Sequence, residues 1–264
     1  MKLTEQQLRQ FDEEGYLFLP GHFSPEEVAV MKSEVPHVFA QRRQENVREK
    51  TGDVVRTAFA VHTYNPVFQA LVHHPGFVGP AEQMLRDKVY IHQFKINGKA
   101  AFDGDVWQWH QDYGTWKNDD DMPTAQAMNL AVFIDEVNEF NGPLWFIPRS
   151  HKKGVIDAQH DLTTTSYPLW TINNDTIARL VEQGGIVSMK GPPGSALFFH
   201  STLVHGSGPN MSPWGRVIIY VSLNAVSNAI RRFKRPEWIA HRDFTPIDTW
   251  SEESILRAAR QAAE

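Results

Sequence analysis

From Lys88 onward the hydrophobic period of this chain changes to two, and no other feature constrains its fold as strongly. Strand-like runs follow at 88–97, 107–112, 127–135, 144–147, 195–200 and 216–223, separated by turns rich in Gly, Pro and Asn. Many short strands with no helices between them predict a mainly β core of the jelly-roll type. The expectation is a double-stranded β-helix, or cupin-like, barrel with flanking helices.

The flanks read differently. Residues 1–87 predict a helical front end. Thr4 with Gln7, and Ser24-Pro25 with Glu27, are capping boxes that open two amphipathic helices on either side of a short strand at 16–19. Pro36 is expected to end or bend the second helix. The charged stretch 41–53 reads as an exposed connection, and a third helical pattern runs over 77–86. Residues 226–264 read as a strap over the barrel, ending in a polar helix from about Ser251. At 264 residues, one domain spanning 1–264 with its core at 88–225 is the expectation.

Charge and composition exclude several classes of function. A net charge of -5 with no basic block argues against nucleic acid or an acidic membrane surface as partner. No stretch approaches the ~18 apolar residues of a membrane span, and the start carries no basic stub followed by an apolar run, so a cytoplasmic protein is expected. Cysteine is absent, so any transition metal must be held by His, Asp or Glu. A small-molecule substrate and a monomer or homodimer complete the picture.

Tracking polar residues by strand face points to a cavity. In 88–97, Val89, Ile91, Gln93, Lys95 and Asn97 share one face, with Tyr90, His92, Phe94 and Ile96 opposite. Such a strand is either exposed or lines a wet cavity. In 216–223, Val217, Ile219, Val221 and Leu223 form an apolar face. Arg216, Ile218, Tyr220 and Ser222 lie opposite, an arrangement that admits a buried, anion-binding Arg.

Two His-x-Asp triplets occur, His110-Gln-Asp112 and His241-Arg-Asp243. His110 and Asp112 sit at i and i+2 on a strand, project to one face and can chelate one ion. His241 is the last histidine, so no downstream ligand completes its site, and a local hydrogen bond or salt bridge is expected there. The distant His205 supplies a third ligand to His110 and Asp112, with His200 as its alternative. Two His and one carboxylate leave half an octahedron open, the arrangement of Fe(II) oxygenases. Arg216, eleven residues beyond His205, is placed to grip a carboxylate whose other end chelates the metal.

The chain resembles the phytanoyl-CoA dioxygenase superfamily of non-haem Fe(II), 2-oxoglutarate-dependent oxygenases. The resemblance runs through Tyr90-Ile-His-Gln-Phe-Lys-Ile-Asn97, Trp109-His-Gln-Asp112, Glu139-Phe-Asn-Gly-Pro-Leu-Trp-Phe-Ile-Pro148, Ser150-His151 and Arg235-Pro-Glu-Trp-Ile-Ala240. Within it the chain is similar to ectoine hydroxylases and to bacterial free amino acid hydroxylases, L-leucine 5-hydroxylases above all. The resemblance implies that His110, Asp112 and His205 bind iron, and that Arg216 assisted by Ser207 clamps 2-oxoglutarate. It places Asn97 at the co-substrate and Gln93 toward the prime substrate, with Trp107 and Trp116 as pocket walls. Tyr220 shares the Arg216 face. The implied reaction consumes O2, converts 2-oxoglutarate to succinate and CO2, and hydroxylates an unactivated C–H. The carboxylate Asp112 favours hydroxylation, because related halogenases bind halide in its place.

The chain departs from the ectoine pattern at Ile218, where that group has an amide, and at Lys95, where it has Arg. A small free aliphatic L-amino acid, leucine or isoleucine before proline or lysine, is therefore the expected substrate, held by a strand face that combines Gln93, Lys95 and Tyr220 with the apolar Ile218. Arg56, His62, Arg231 and Arg232 are candidate partners for its carboxylate, although each also reads as a solvated group. The acidic Asn118-Asp-Asp-Asp121 reads as an exposed turn or the tip of a lid. The rival functions are a metal-binding barrel without catalysis and an oxygenase of ectoine, of another small precursor or of a carrier-bound substrate.

Overall fold

Both capping boxes form in the computed structural model, which describes residues 1–50 and 52–262. Thr51, within the charged connection, and the last two residues of the tail lie outside the described residues. Helix α1 (Glu5–Glu14) opens at Thr4 and ends at Gly15, whose φ of 83° suits glycine. Strand β1 (Tyr16–Leu19) follows, then α2 (Pro25–Ala40), which runs on through Pro36 instead of ending or breaking there. Pro36 lies on the exposed face, where water replaces the hydrogen bond it cannot give.

The 41–53 connection is only partly exposed, and the front end is not purely helical. Strand β2 (Asn46–Arg48) pairs with β3 (Val55–Phe59), and the buried Asn46 amide donates to the Val38 and Gln41 carbonyls at 2.8 and 2.9 Å. Helices α3 (Pro66–Val72) and α4 (Pro75–Leu85) complete the front end.

The core then alternates strands with two helices. It runs through β4 (Val89–Lys99), β5 (Trp107–His110), α5 (Asp112–Asp120), β6 (Ala127–Phe133), β7 (Leu144–Phe146), β8 (Gln159–Asp161), β9 (Leu169–Thr171), α6 (Asn174–Gly184), β10 (Val187–Met189), β11 (Ala196–His200), β12 (His205–Ser207) and β13 (Arg216–Ala225). Helix α7 (Ser254–Ala262) ends the strap and packs on α3 and α2.

All strand pairs are antiparallel. The larger sheet has the order β1-β11-β6-β13-β4-β3-β2, so strands of the front end form both of its edges. The smaller sheet has the order β10-β7-β12-β5-β9-β8. The two sheets face each other as a jelly roll that stays open instead of closing into a barrel. Between them pack Ala131, Phe133, Leu197, Phe199 and Ile218 from one side and Leu144, Phe146 and Met189 from the other. The outer face of the larger sheet is covered by the helices, in a cluster that includes Met31, Phe68, Leu71, Phe77, Phe94 and Ile219. Burying each such side chain stabilises the fold by about 1.5–3 kcal/mol, and the front end is thereby welded to the core.

Two local departures from the period-two reading shape the site. A β-bulge at the β13–β4 ladder sets Gln93 opposite Ser222 but Ile91 opposite Leu223, leaving His92 as the extra residue. The face therefore switches halfway along β4. Val89, Ile91, Phe94 and Ile96 pack on the helical side, while Gln93, Lys95 and Asn97 face the interior between the sheets. In addition β5 stops at His110, and Asp112 is the first residue of α5 instead of a strand residue. The 118–121 segment is thus a helix end. Asp120 within it is fully buried, neither an exposed turn nor a lid tip.

Candidate metal centre and active site

His110 and His205 are direct cross-strand partners on β5 and β12, with ring centroids 4.1 Å apart. Each Nδ1 lies against the carbonyl two residues earlier, Gln108 at 2.6 Å and Leu203 at 2.9 Å. A carbonyl only accepts, so each Nδ1 carries a proton and each ring turns its Nε2 toward the site. Burial, aided by His110, pushes His205 down to about 3, which keeps it a neutral imidazole.

Asp112 completes the group. Its Oδ1 lies 3.7 Å from His110 Nε2 and its Oδ2 3.5 Å from His205 Nε2. Burial would raise its pKa, but Lys95, His205 and His110 outweigh burial and hold it well below the usual carboxylate range. Two imidazole Nε2 atoms and an ionised carboxylate thus converge within 4.8 Å, all buried, and no other such group of three occurs among the described residues. This donor set fits a divalent first-row ion with open positions. His200 is not part of it. Its Nδ1 accepts from the Thr202 N–H at 3.1 Å, and its ring lies against His151.

The triad forms one wall of a cleft between the sheets that holds about 600 Å³ of atom-free space, mouth included. Gln93, Lys95, Asn97, Ser207, Arg216, Tyr220, Trp107 and Trp116 all line it, as the sequence reading expected. Arg216 is buried in the wall, its Nε donating to the Gly142 carbonyl at 3.1 Å and one terminal nitrogen to Ser207 Oγ at 3.2 Å. Gly142 has a φ of 74°, and a Cβ there would meet the Lys99 side chain at 2.8 Å and the Gly208 carbonyl at 2.9 Å, so glycine is required. That requirement accounts for one residue of the Glu139–Pro148 motif. Beside Arg216, burial pushes the Tyr220 phenol up to about 12, so it remains a hydrogen-bond donor. Among the described residues Asn97 Oδ1 has no partner although it is buried, which leaves that amide available to a ligand.

Other candidates fall outside the cleft. Ile218 is fully buried in the core between the sheets and does not line the site. Arg56 is neither solvated nor at the cleft. It lies over the outer side of Trp107, 4.0 Å from the ring centroid, and pairs with buried Glu49 at 3.1 Å. Burial without a charge partner would be prohibitive, and Glu49 is the partner. His62 packs on Phe94 and His241 around a separate cavity, and Arg231 and Arg232 are exposed. At the second triplet Asp243 accepts from the Thr245 N–H at 2.9 Å, while His241 turns inward.

Besides Arg216 and Lys95, a third cation, Arg235, lines the cleft. Its Nε donates to Asp120 Oδ1 at 2.8 Å, a second nitrogen bonds Asp120 Oδ2, and His92 Nε2 lies 3.2 Å from that same oxygen. Burial would raise Asp120, but His92 and Arg235 outweigh it and lower it. Arg235 opens the Arg-Pro-Glu-Trp-Ile-Ala motif, which was the available signal. Thr115, Leu144, Tyr167, Leu169 and Phe199 also line the cleft and carry no comparable sequence mark.

Among the described residues no helix is long and apolar enough to cross a membrane. The chain is 34% identical to an ectoine dioxygenase of Bordetella bronchiseptica over 255 residues, covering 91% of this chain and 83% of that one. It is also 34% identical to the L-proline trans-4-hydroxylase of Streptomyces griseoviridis over 248 residues, covering 90% and 92%. These relatives are named for ectoine and proline, not for leucine as the sequence reading favoured. The crystal structure of EctD from S. alaskensis with bound Fe superposes with a TM-score of 0.84 at 30% identity, covering 94% of this chain and 88% of that one. The same protein with 2-oxoglutarate and 5-hydroxyectoine gives 0.83. Residues 11–218 match the family described as phytanoyl-CoA dioxygenase (PhyH). The chain therefore belongs to the phytanoyl-CoA dioxygenase family and is a non-haem iron, 2-oxoglutarate-dependent dioxygenase that uses O2.

Proposed function

We propose that this dioxygenase hydroxylates an unactivated C–H of a small free aliphatic L-amino acid, with iron on His110, Asp112 and His205. The observation that carries this reading is a cleft with two cationic poles. Arg216 stands opposite Lys99 at one end of β4, and Arg235 touches His92 near the other, about 20 Å away along the strand. Lys95 lies between them along β4, and the triad lines the same cleft. Arg216, with Ser207 and Tyr220, receives the distal carboxylate of 2-oxoglutarate, while Asn97 faces its body. Arg235, braced by Asp120, receives the carboxylate of the prime substrate, with Gln93 as a neutral polar contact.

Bound iron supplies the oxidative decarboxylation of 2-oxoglutarate to succinate and CO2 that drives the C–H oxidation. The protein's share is orientation and exclusion of water. Leu144, Leu169, Phe199, Trp107 and Trp116 enclose the aliphatic part of the substrate, and burying such a tail contributes about 1–3 kcal/mol. Residues 1–264 act as one domain, because strands of the front end complete the larger sheet.

A second reading, ectoine or another small precursor in place of a free amino acid, is favoured by the name of the ectoine dioxygenase relative, whereas the L-proline hydroxylase agrees with a free amino acid. The argument against ectoine from Ile218 lapses, since that side chain lies in the core. Succinate release and a one-oxygen mass gain, measured over leucine, isoleucine, proline, lysine and ectoine, test both readings. Oxidation of leucine, isoleucine, proline or lysine supports the first, and of ectoine alone the second. Oxidation of only a carrier-bound thioester would sink both.

A further inference from the structure

We propose that Asn129 and Ser222 form a positioning relay that fixes the Asp112 carboxylate as a one-oxygen metal ligand. The inference rests on the assignment of Asp112 as a ligand. It starts from an anomaly in β6, whose sequence Ala-Met-Asn-Leu-Ala-Val-Phe is buried at every position and apolar at every position but one. Asn129 is fully buried in this strand, flanked by β11 and β13. An amide in such a place is costly unless both of its ends are paired.

Both ends are paired, in a defined direction. Asn129 Nδ2 donates to Asp112 Oδ2 at 2.7 Å, and Asn129 Oδ1 accepts from Ser222 Oγ at 2.6 Å. Asn129 and Ser222 are direct cross-strand partners, and Ser222 is also fully buried. An ionised carboxylate only accepts, so it must face the amide N–H; the amide oxygen then needs a donor, and the Ser222 hydroxyl supplies one. The chain Ser222 to Asn129 to Asp112 is therefore self-consistent in donors and acceptors, and it sets the otherwise ambiguous orientation of the amide.

The relay answers a mechanical need of this fold. His110 and His205 sit on paired strands and are held by carbonyls two residues away, whereas Asp112 begins a helix and has no sheet partner. Among the described residues, the only hydrogen bond to its carboxylate comes from Asn129. Occupying Oδ2 with an amide proton holds the plane of the carboxylate and disfavours two-oxygen chelation, which would consume one of the positions that co-substrate and O2 require.

The test measures Co(II) affinity of the metal-free protein by titration, without co-substrate, in Asn129→Leu, Ser222→Ala, the double variant and Asp112→Ala, with apo-protein melting recorded alongside. Asn129→Leu is expected to weaken Co(II) binding about 10- to 100-fold. Ser222→Ala, which removes a single oxygen, should weaken it several-fold in the wild-type background and not at all beside Asn129→Leu. Should Asn129→Leu fail to fold, Ser222→Ala alone decides: a several-fold loss of affinity with an unchanged apo melting temperature supports the relay, and unchanged affinity overturns it. Equal losses from Ser222→Ala in both backgrounds would likewise overturn it. If Asp112→Ala abolishes binding while Asn129→Leu and Ser222→Ala are silent, only the relay falls. If Asp112→Ala is itself silent, the ligand assignment falls with it.

Discussion

Replacing Arg216 with Met removes the cation at the closed end of the cleft while leaving the rest of the wall in place. Its protein partners are neutral, the Gly142 carbonyl and the Ser207 hydroxyl, so no buried charge is stranded by the change. Leaving those acceptors short of a donor costs about 1–3 kcal/mol. Against this, the substitution removes a buried cation whose pKa is lowered by burial, and which in turn helps push neighbouring Lys99 down to about 6. The apo melting temperature should therefore move by only a few degrees. Co-substrate binding should suffer far more. Two charge-assisted hydrogen bonds to the distal carboxylate, at about 1.5–3 kcal/mol each, are lost and partly offset by water, a net of about 3–4 kcal/mol. At about 1.4 kcal/mol per decade, the KM for 2-oxoglutarate should rise about 10²- to 10³-fold. Steady-state succinate assays with each substrate varied in turn, and calorimetric titration of 2-oxoglutarate into anaerobic Fe(II) protein, measure this directly. An equal rise in KM for the prime substrate, or an unchanged calorimetric affinity for 2-oxoglutarate, would refute the assignment of Arg216.

Three further outcomes are expected. His110→Ala and His205→Ala should each abolish stoichiometric Fe(II) binding and turnover, whereas His200→Ala retains both; metal analysis of the purified variants decides the ligand set. Arg235→Gln should raise the KM of the prime substrate at least about tenfold with the 2-oxoglutarate KM unchanged, and the added Asp120→Asn change should recover stability but not substrate affinity, since it only relieves the stranded carboxylate. For Asp120 itself the folded pKa is below its ordinary 3.8, so its contribution to stability is complete above that value and lost as pH falls through the lower folded one. Denaturant titrations of wild type and Asp120→Asn should accordingly differ by a constant amount above about pH 5 and start to converge only as the pH falls below 3.8; a gap that widens in acid would contradict the pairing with Arg235 and His92.

Local chemistry and periodicity alone determined a good part of this protein. Short strands of period two fix a β core, Ser/Thr caps with Glu or Gln three residues on fix α1 and α2, and the absence of cysteine restricts a metal to His and carboxylate donors. The His110, Asp112 and His205 pattern and the Arg216 spacing were legible because each residue lies within a few positions of a strand boundary, where direction follows from alternation. Only the tertiary structure decided the rest. The face of β4 switches at His92 because a bulge adds one residue to β4 in its ladder with β13, which period-two alternation does not reveal. In the sequence Arg56 reads as a solvated charge or a substrate contact, and Arg235 only as the first residue of a motif in the strap. One is buried against Glu49 and Trp107 and the other is aimed into the cleft by Asp120, because partners far along the chain compensate their desolvation. Asn129 reads as a misplaced polar residue in an apolar strand until Ser222 and Asp112 are brought to either end of its amide. Burial of a polar group is a property of its partners in space, and sequence alternation carries no record of them.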